Sequence, residues 1–365
     1  MPKKRLEIRD KEIENKILTI LSMNGRAPLS FIKDRIGLTK HPTYRRIKQL
    51  EEKYHIKYIA EIDVKKLGYL SFLVLIKFMG KIPINDELSD AFKYEPKIQA
   101  AFVLSGGDYH LMLSMYAESE SDINEIRRKL MRDTVLFDYP AEWYITPFYD
   151  TYGFIPLRSE FIATFKDRMK QKESEPFNRS TEKQQQVMAR EFTVLKELND
   201  NGNIDFSEID KKYGFDKGRS QYSYYKLLQK GILKRITINM KKSEAKYVAV
   251  LFMKITNYKK FQKSSKLMAK NIIKNTNKPL NRYVLVGDIW MPFTIVSLYP
   301  VIENDIDIIT KELSKIRGVE IKTAILTKTL IGNLCYRRFD NTYTVQQKNL
   351  DEIKTEKVDY SKTGL

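Results

Sequence analysis

Behind Asp10, a candidate N-cap, Ile13, Ile17, Leu18, Ile20 and Leu21 keep helical spacing up to a stop signal at Asn24-Gly25. Pro28 opens a shorter helix carrying Leu29, Ile32 and Ile36, which Gly37 closes. Thr39 can cap a third helix, Lys40 to Lys53, with Pro42 in its first turn, where a missing N–H costs little. The short segment between the second and third helices is the tight connection of a helix-turn-helix. Ile56 to Asp63 reads as a strand that could form a wing. Leu67-Gly68-Tyr69 is a break, and Leu70 to Met79 is an almost continuous apolar run, hence a buried strand.

The next stretch reads β-α-β-β-α-β, the ferredoxin-like order. Its helices run from Asn85 to Tyr94 and from Ser121 through Ile123, Ile126, Leu130 and Met131. After the Leu70 strand, its strands are Ile98–Leu104, Tyr109–Tyr116 and Trp143–Tyr149, with a turn at Gly106-Gly107-Asp108. Arg158 to Met169 has helical character, and the polar stretch from Lys170 to Gln186 suits an interdomain linker.

The pattern then starts again. Glu14–Gly25 reappears as Glu191–Gly202, 177 positions on, and the same offset carries Ser30 to Ser207, Gly37 to Gly214, Lys40 to Lys217 and Leu50 to Leu227. Such a period is far too long for a solenoid unit. The second half accordingly predicts helices at 187–199, 206–213, 217–229, 259–273 and 302–316. Its predicted strands are 232–240, 247–255, 283–286, 293–299 and 321–326. The expected fold class is α+β: two tandem modules, each a winged helix-turn-helix followed by a ferredoxin-like βαββαβ effector-type domain. The boundaries are 1–63 and 64–150 for the first module, 151–186 for the linker, 187–240 and 241–330 for the second module, and 331–365 for a tail.

Composition narrows the partner. Lys and Arg outnumber Asp and Glu by 65 to 46, so the 365-residue chain carries a net charge of +19. That balance points to a polyanion, nucleic acid before anionic membrane. The single cysteine, Cys335, cannot form an internal disulfide. No run approaches the roughly 18–20 apolar residues that span a bilayer, so a cytoplasmic protein is expected. The three histidines, His41, His55 and His110, and the lone cysteine form no metal-ligand spacing. No phosphate-binding loop or nucleophile-elbow motif is present. Neither cofactor nor enzymatic activity is expected.

The third helix carries the chemistry. Thr43, Ile47 and Leu50 share one face, suited to packing; His41, Tyr44, Arg45 and Lys48 share the opposite one, flanked by Lys40 and Arg46. Cations there neutralise phosphates and pair with guanine edges, and Lys57, Lys65 and Lys66 add charge on the expected wing. The repeat alters this face to Gly218, Gln221, Tyr222 and Tyr225, with Lys217, Arg219 and Lys226 at its margins. That face suits either a different half-site or a protein contact.

Gly37-Leu38-Thr39-Lys40-His41-Pro42-Thr43-Tyr44-Arg45-Arg46-Ile47-Lys48-Gln49-Leu50-Glu51, followed by Lys66-Leu67-Gly68-Tyr69, resembles the recognition-helix pattern and domain junction of the Lrp/AsnC (leucine-responsive, feast/famine) regulators. The resemblance covers residues 10–150 and, through the repeat, 187–328. It implies a double-stranded-DNA-binding transcription regulator whose effector domains associate, here either within the chain or as a homodimer. It also implies a small effector, often an amino acid, near the turn after the second sheet strand. Those positions are Asp108, His110 and Asp288, although the family's final Asp in that turn is replaced by His110 and Trp290. The sirohaem decarboxylases resemble the same architecture and supply an enzymatic alternative. A scaffold whose second module has lost DNA reading is another.

Overall fold

The computed structural model describes residues 2–151, 189–239, 248–255, 282–287, 292–298 and 319–332, with Phe161 and a few positions between 310 and 315 besides. The helices expected at 158–169, 259–273 and 302–316, the linker and the tail lie largely outside these residues.

Three helices open the chain: α1 (Pro2–Met23), α2 (Leu29–Ile36) and α3 (Lys40–Lys53). Asp10 is not the cap of α1. Nothing between Pro2 and Asp10 breaks a helix, so Asp10 sits inside it. Ile17, Leu18, Leu21, Ile32, Ile47 and Leu50 interlock as the core of this unit. Gly37 ends α2 with φ 71°, a left-handed conformation that a side chain would strain, and its N–H returns to the Lys33 carbonyl. A second trio repeats the order: α6 (Ala189–Asp200), α7 (Phe206–Tyr213) and α8 (Arg219–Gln229), with Gly214 at φ 65° in the place of Gly37. The third member starts at Arg219, two residues later than expected, because Gly218 takes φ 82° ahead of it.

Among the described residues neither trio has a wing of its own. β1 (Lys57–Ile62) and β6 (Leu233–Asn239) pair antiparallel with each other, from Lys57 opposite Asn239 to Ile62 opposite Leu233. Among the described residues each trio is followed by one strand before the barrel strands begin, and a lone strand leaves its backbone groups unpaired. Here the partner comes from the other half of the chain. Lys65 and Lys66 lie in a short 3₁₀ turn after β1, not on a hairpin.

The ribbon serves both cores. Ile238 of β6 packs among the side chains of α1–α3, while Ala60 of β1 packs with Phe192, Leu195 and Leu198 of α6. Reciprocal backbone bonds fasten it: the Gly25 N–H donates to the Ile236 carbonyl at 2.7 Å and the Gly202 N–H to the Tyr58 carbonyl at 2.9 Å. Both glycines stand where a Cβ would lie within 3.0 Å of Ile236 or of the β1 backbone.

The remaining strands close into an eight-stranded barrel. The first half contributes β2 (Leu70–Phe78), β3 (Ile98–Ser105), β4 (Leu111–Ala117) and β5 (Ala141–Thr151). The second contributes β7 (Val248–Ile255), β8 (Arg282–Gly287), β9 (Pro292–Leu298) and β10 (Val319–Ile331). Around the barrel the order is β10-β3-β4-β2-β5-β8-β9-β7, with β10 returning to β7. Within each set of four the order is fourth, first, third, second. β10 extends five residues past its expected end because it continues along β3 to Ile331, opposite Ala101.

Helices α4 (Asn85–Lys93) and α5 (Glu120–Asp133) cover the outer face of the first four strands, burying Phe72, Val74, Ile76 and Phe78. α5 starts ahead of Ser121, capped by Ser119, which accepts the Asp122 N–H at 3.2 Å. The opposite face of β2, Leu73 and Leu75, meets Phe102, Met112, Val250 and Phe252 inside the barrel. Burial on both faces is why β2 reads as an unbroken apolar run. Among the described residues no helix is long and apolar enough to cross a membrane.

Candidate nucleic-acid interface

The α3 surface follows from its periodicity. Thr43, Ile47 and Leu50 are buried, and the Thr43 hydroxyl donates back to the Thr39 carbonyl at 2.9 Å, fixing the first turn. His41, Arg45 and Lys48 are therefore turned outward, and Tyr44 is 51% exposed. Lys40 stands exposed at the helix start.

The expected set divides by what each member already holds. Lys40, His41 and Arg45 make no hydrogen bond or ion pair with the described residues. Lys48 lies 2.6 Å from the Glu51 carboxylate, whose hydrogen bond raises the lysine pKa, and its ammonium lies 5.8 Å from the Tyr44 ring centre. The other Glu51 oxygen accepts the Tyr58 hydroxyl at 2.7 Å, so the chain from Lys48 reaches the ribbon. Arg46 is half-buried and paired to Asp10, and Lys53 holds Glu14 at 2.9 Å. These two cations clamp α3 to α1. Lys57 is exposed at the outset of β1.

The second trio presents a different face. Gln221 is exposed, Tyr222 is 53% exposed, and the Lys226 ammonium lies 5.1 Å from the Tyr222 ring centre. Arg219 begins α8 with its guanidinium 3.6 Å from Asp216, and Lys217 lies exposed in the preceding turn. Beneath that turn the buried Asp210 carboxylate accepts the N–H groups of Gly218 and Ser220, each at 2.8 Å. Burial alone would raise the Asp210 pKa. The bonds from Ser220 and Gly218 outweigh it, and the group is held below its ordinary value as an anion. Sequence periodicity did not disclose this internal cap, because Asp210 lies on the preceding helix. Its one visible signal is the repeat register, in which Lys33 occupies the corresponding place.

Arg26 was also missed. From the turn after α1 its guanidinium donates to the Gly202 carbonyl at 2.8 Å and to the Ile204 carbonyl, and it lies 4.1 Å above the Phe206 ring. It joins the first helical unit to the second.

The effector-type turn is occupied from within. Asp108 is exposed and paired to Lys322 of β10, whose hydrogen bond lowers its pKa, so the carboxylate already carries an ammonium group. His110 is engaged in the sheet: its Nδ1 accepts the Phe78 N–H at 2.9 Å. Burial first, and then the Lys77 charge, lower its pKa, favouring the neutral ring. Asp288 lies outside the described residues. Among them no cluster of His, Cys, Asp and Glu could hold a metal ion.

No model of a known protein family matches the sequence. The HTH-type transcriptional regulator FL11 of Pyrococcus horikoshii is 33% identical over 116 residues, 31% of this chain and 74% of that protein. The HTH-type transcriptional regulator LrpA of the same organism is 34% identical over 112 residues, 30% of this chain and 77% of its own length. Among solved structures, the siroheme decarboxylase NirDL superposes with a TM-score of 0.56 over 94% of this chain and 99% of that one. At 13% identity that likeness is one of fold alone. The two regulators supply the kinship: the chain belongs to the Lrp/AsnC family of HTH-type transcription regulators.

Proposed function

We propose that the chain is a sequence-specific regulator of transcription that binds double-stranded DNA through two non-equivalent helix-turn-helix modules, carried on a pseudo-dimeric core formed by its own two effector-type domains. The observation that supports this best is the unengaged face of α3, where Lys40, His41 and Arg45 stand exposed beside Tyr44 on a helix whose opposite side is locked into a core. In helix-turn-helix proteins the start of this helix enters the major groove, where arginine pairs with guanine and lysine with phosphate. The tandem arrangement is supported by the shared ribbon and by the matching strand order of the two halves.

The test is retardation of duplex DNA across a salt series. Binding should weaken steeply with salt, Lys40→Ala should reduce the slope of log K against log salt by about 1, the share of one phosphate contact, and Arg45→Ala should weaken binding and relax sequence preference. An unchanged slope would remove α3 from the interface.

The whole-chain likeness to a siroheme decarboxylase favours a second reading, an enzyme acting on a tetrapyrrole. His110, the polar side chain that reading would use, already accepts a backbone N–H. Titration with an iron porphyrin decides the matter. A saturable Soret shift would favour the enzyme, and an unshifted band the regulator.

A further inference from the structure

The two reading helices differ in what they can recognise, and this inference rests on the reading of the chain as a duplex-DNA regulator. In the 177-residue register Lys40 corresponds to Lys217, Tyr44 to Gln221, Arg45 to Tyr222 and Lys48 to Tyr225. The two outward cations in the middle of α3 are thus both replaced by tyrosines on α8, and a tyrosine is replaced by glutamine. Arg45 offers an unengaged guanidinium fork, the group whose geometry matches the O6 and N7 acceptors of guanine. Gln221 offers an amide with no hydrogen bond to the described residues, and that group matches the N6 and N7 edge of adenine. The half-exposed Tyr222 ring beside it is an apolar surface suited to a thymine methyl.

The electrostatics behind the helices differ in the same sense. Under the first turn of α8 the Asp210 carboxylate already consumes two N–H groups and places a negative charge behind them. The corresponding residue of the first unit is Lys33, 3.3 Å from Asp34. Two backbone N–H groups at the start of α8 are therefore already taken from within, and the exposed Lys217 and Arg219 are what remain there to meet a phosphate. The ribbon joins the two units, so both helices act from one framework.

We propose that the operator of this protein is asymmetric: α3 reads a G·C-bearing half-site through Arg45, and α8 reads an A·T half-site through Gln221 and Tyr222. The division is one of chemistry as well as of position. The first half-site supplies most of the phosphate contact, and the second supplies base-edge and methyl contact.

The experiment is selection of bound sequences from a random duplex pool with the full-length chain, followed by anisotropy titrations on the selected duplex. One half of the selected site should carry G·C pairs at fixed positions and the other only A·T. Arg45→Ala should weaken binding about tenfold or more and erase preference in the first half alone. Gln221→Ala with Tyr222→Ala should erase preference in the second half alone. Tyr222→Arg, which restores the α3 pattern, should create a G·C preference there, a gain that misfolding cannot imitate. A palindromic selected site, or an A·T half indifferent to Gln221 and Tyr222, would overturn the proposal while leaving the regulator reading intact. Failure to enrich or retain any duplex would overturn both.

Discussion

His110 shows how a position the sequence marks as polar can be engaged through one ring nitrogen by the sheet itself. Its backbone N–H donates to the Ile76 carbonyl, its carbonyl accepts from Leu104, and its ring nitrogen takes the Phe78 N–H. The ring fills a gap in the ladder where β2 ends, so the folded protein favours its neutral form. Burial and Lys77 hold its pKa below the ordinary 6.5. The unfolded chain therefore takes up a proton near pH 6.5, and the folded chain does so only at lower pH. The contribution of the site is complete above 6.5 and is lost as pH falls through 6.5 toward the folded value. Urea unfolding followed from pH 7 to pH 5 should show that decline, and His110→Gln, which keeps an uncharged acceptor, should show less of it. Parallel profiles for the two proteins would mean that another group titrates. The sequence exposed the histidine and the glycine turn before it. It could not expose the Phe78 N–H that claims the ring, because that partner lies 32 residues away across a strand pair.

At the scale of elements, the local signals were legible and the distant pairings were not. Gly37 ends α2 and Lys40–Lys53 is a helix, because caps and periodicity act over a few residues. The wing failed for the converse reason: β1 has the Tyr and Ile content of a strand, but composition does not name its partner, and the partner begins at Leu233. Arg26 is the side chain that secures this pairing. It donates to the Gly202 and Ile204 carbonyls and stacks on Phe206, and its partial burial lowers its pKa. Removing it strands two carbonyls and exposes an aromatic face between the helical units. Arg26→Ala should cost about 2–4 kcal/mol in chemical denaturation. Arg26→Lys should recover only part of that, because an ammonium keeps the charge and loses the fork. If the alanine variant matched the wild type, the junction would have to be held by the ribbon's backbone bonds alone.

For the whole molecule, the decisive feature is that the sheet has no end. The four strands of the first half would by themselves leave β3 and β5 as edges, each a template for another chain. In this structure β10 covers β3 from Ile325 opposite Ser105 to Ile331 opposite Ala101, and β8 covers the end of β5 from Phe148 to Thr151. The edges of the second half are covered by the same two contacts, and the helical units are likewise paired through β1 and β6. Pairing that a homodimer would supply from a second chain is supplied by residues more than 130 positions further along this one. Light scattering coupled to size exclusion should accordingly give the mass of a single chain, unchanged over a hundredfold dilution, and a single chain bound per DNA duplex. The strongest competing outcome is a swapped dimer, in which two chains exchange halves and each barrel is built from both. That assembly keeps every contact described here but doubles the mass. Since residues 152–188 connect the halves, the arrangements also differ under cleavage in this segment. Halves held as one chain's own barrel would remain together at one-chain mass, whereas nicked swapped dimers would redistribute to that mass from twice it.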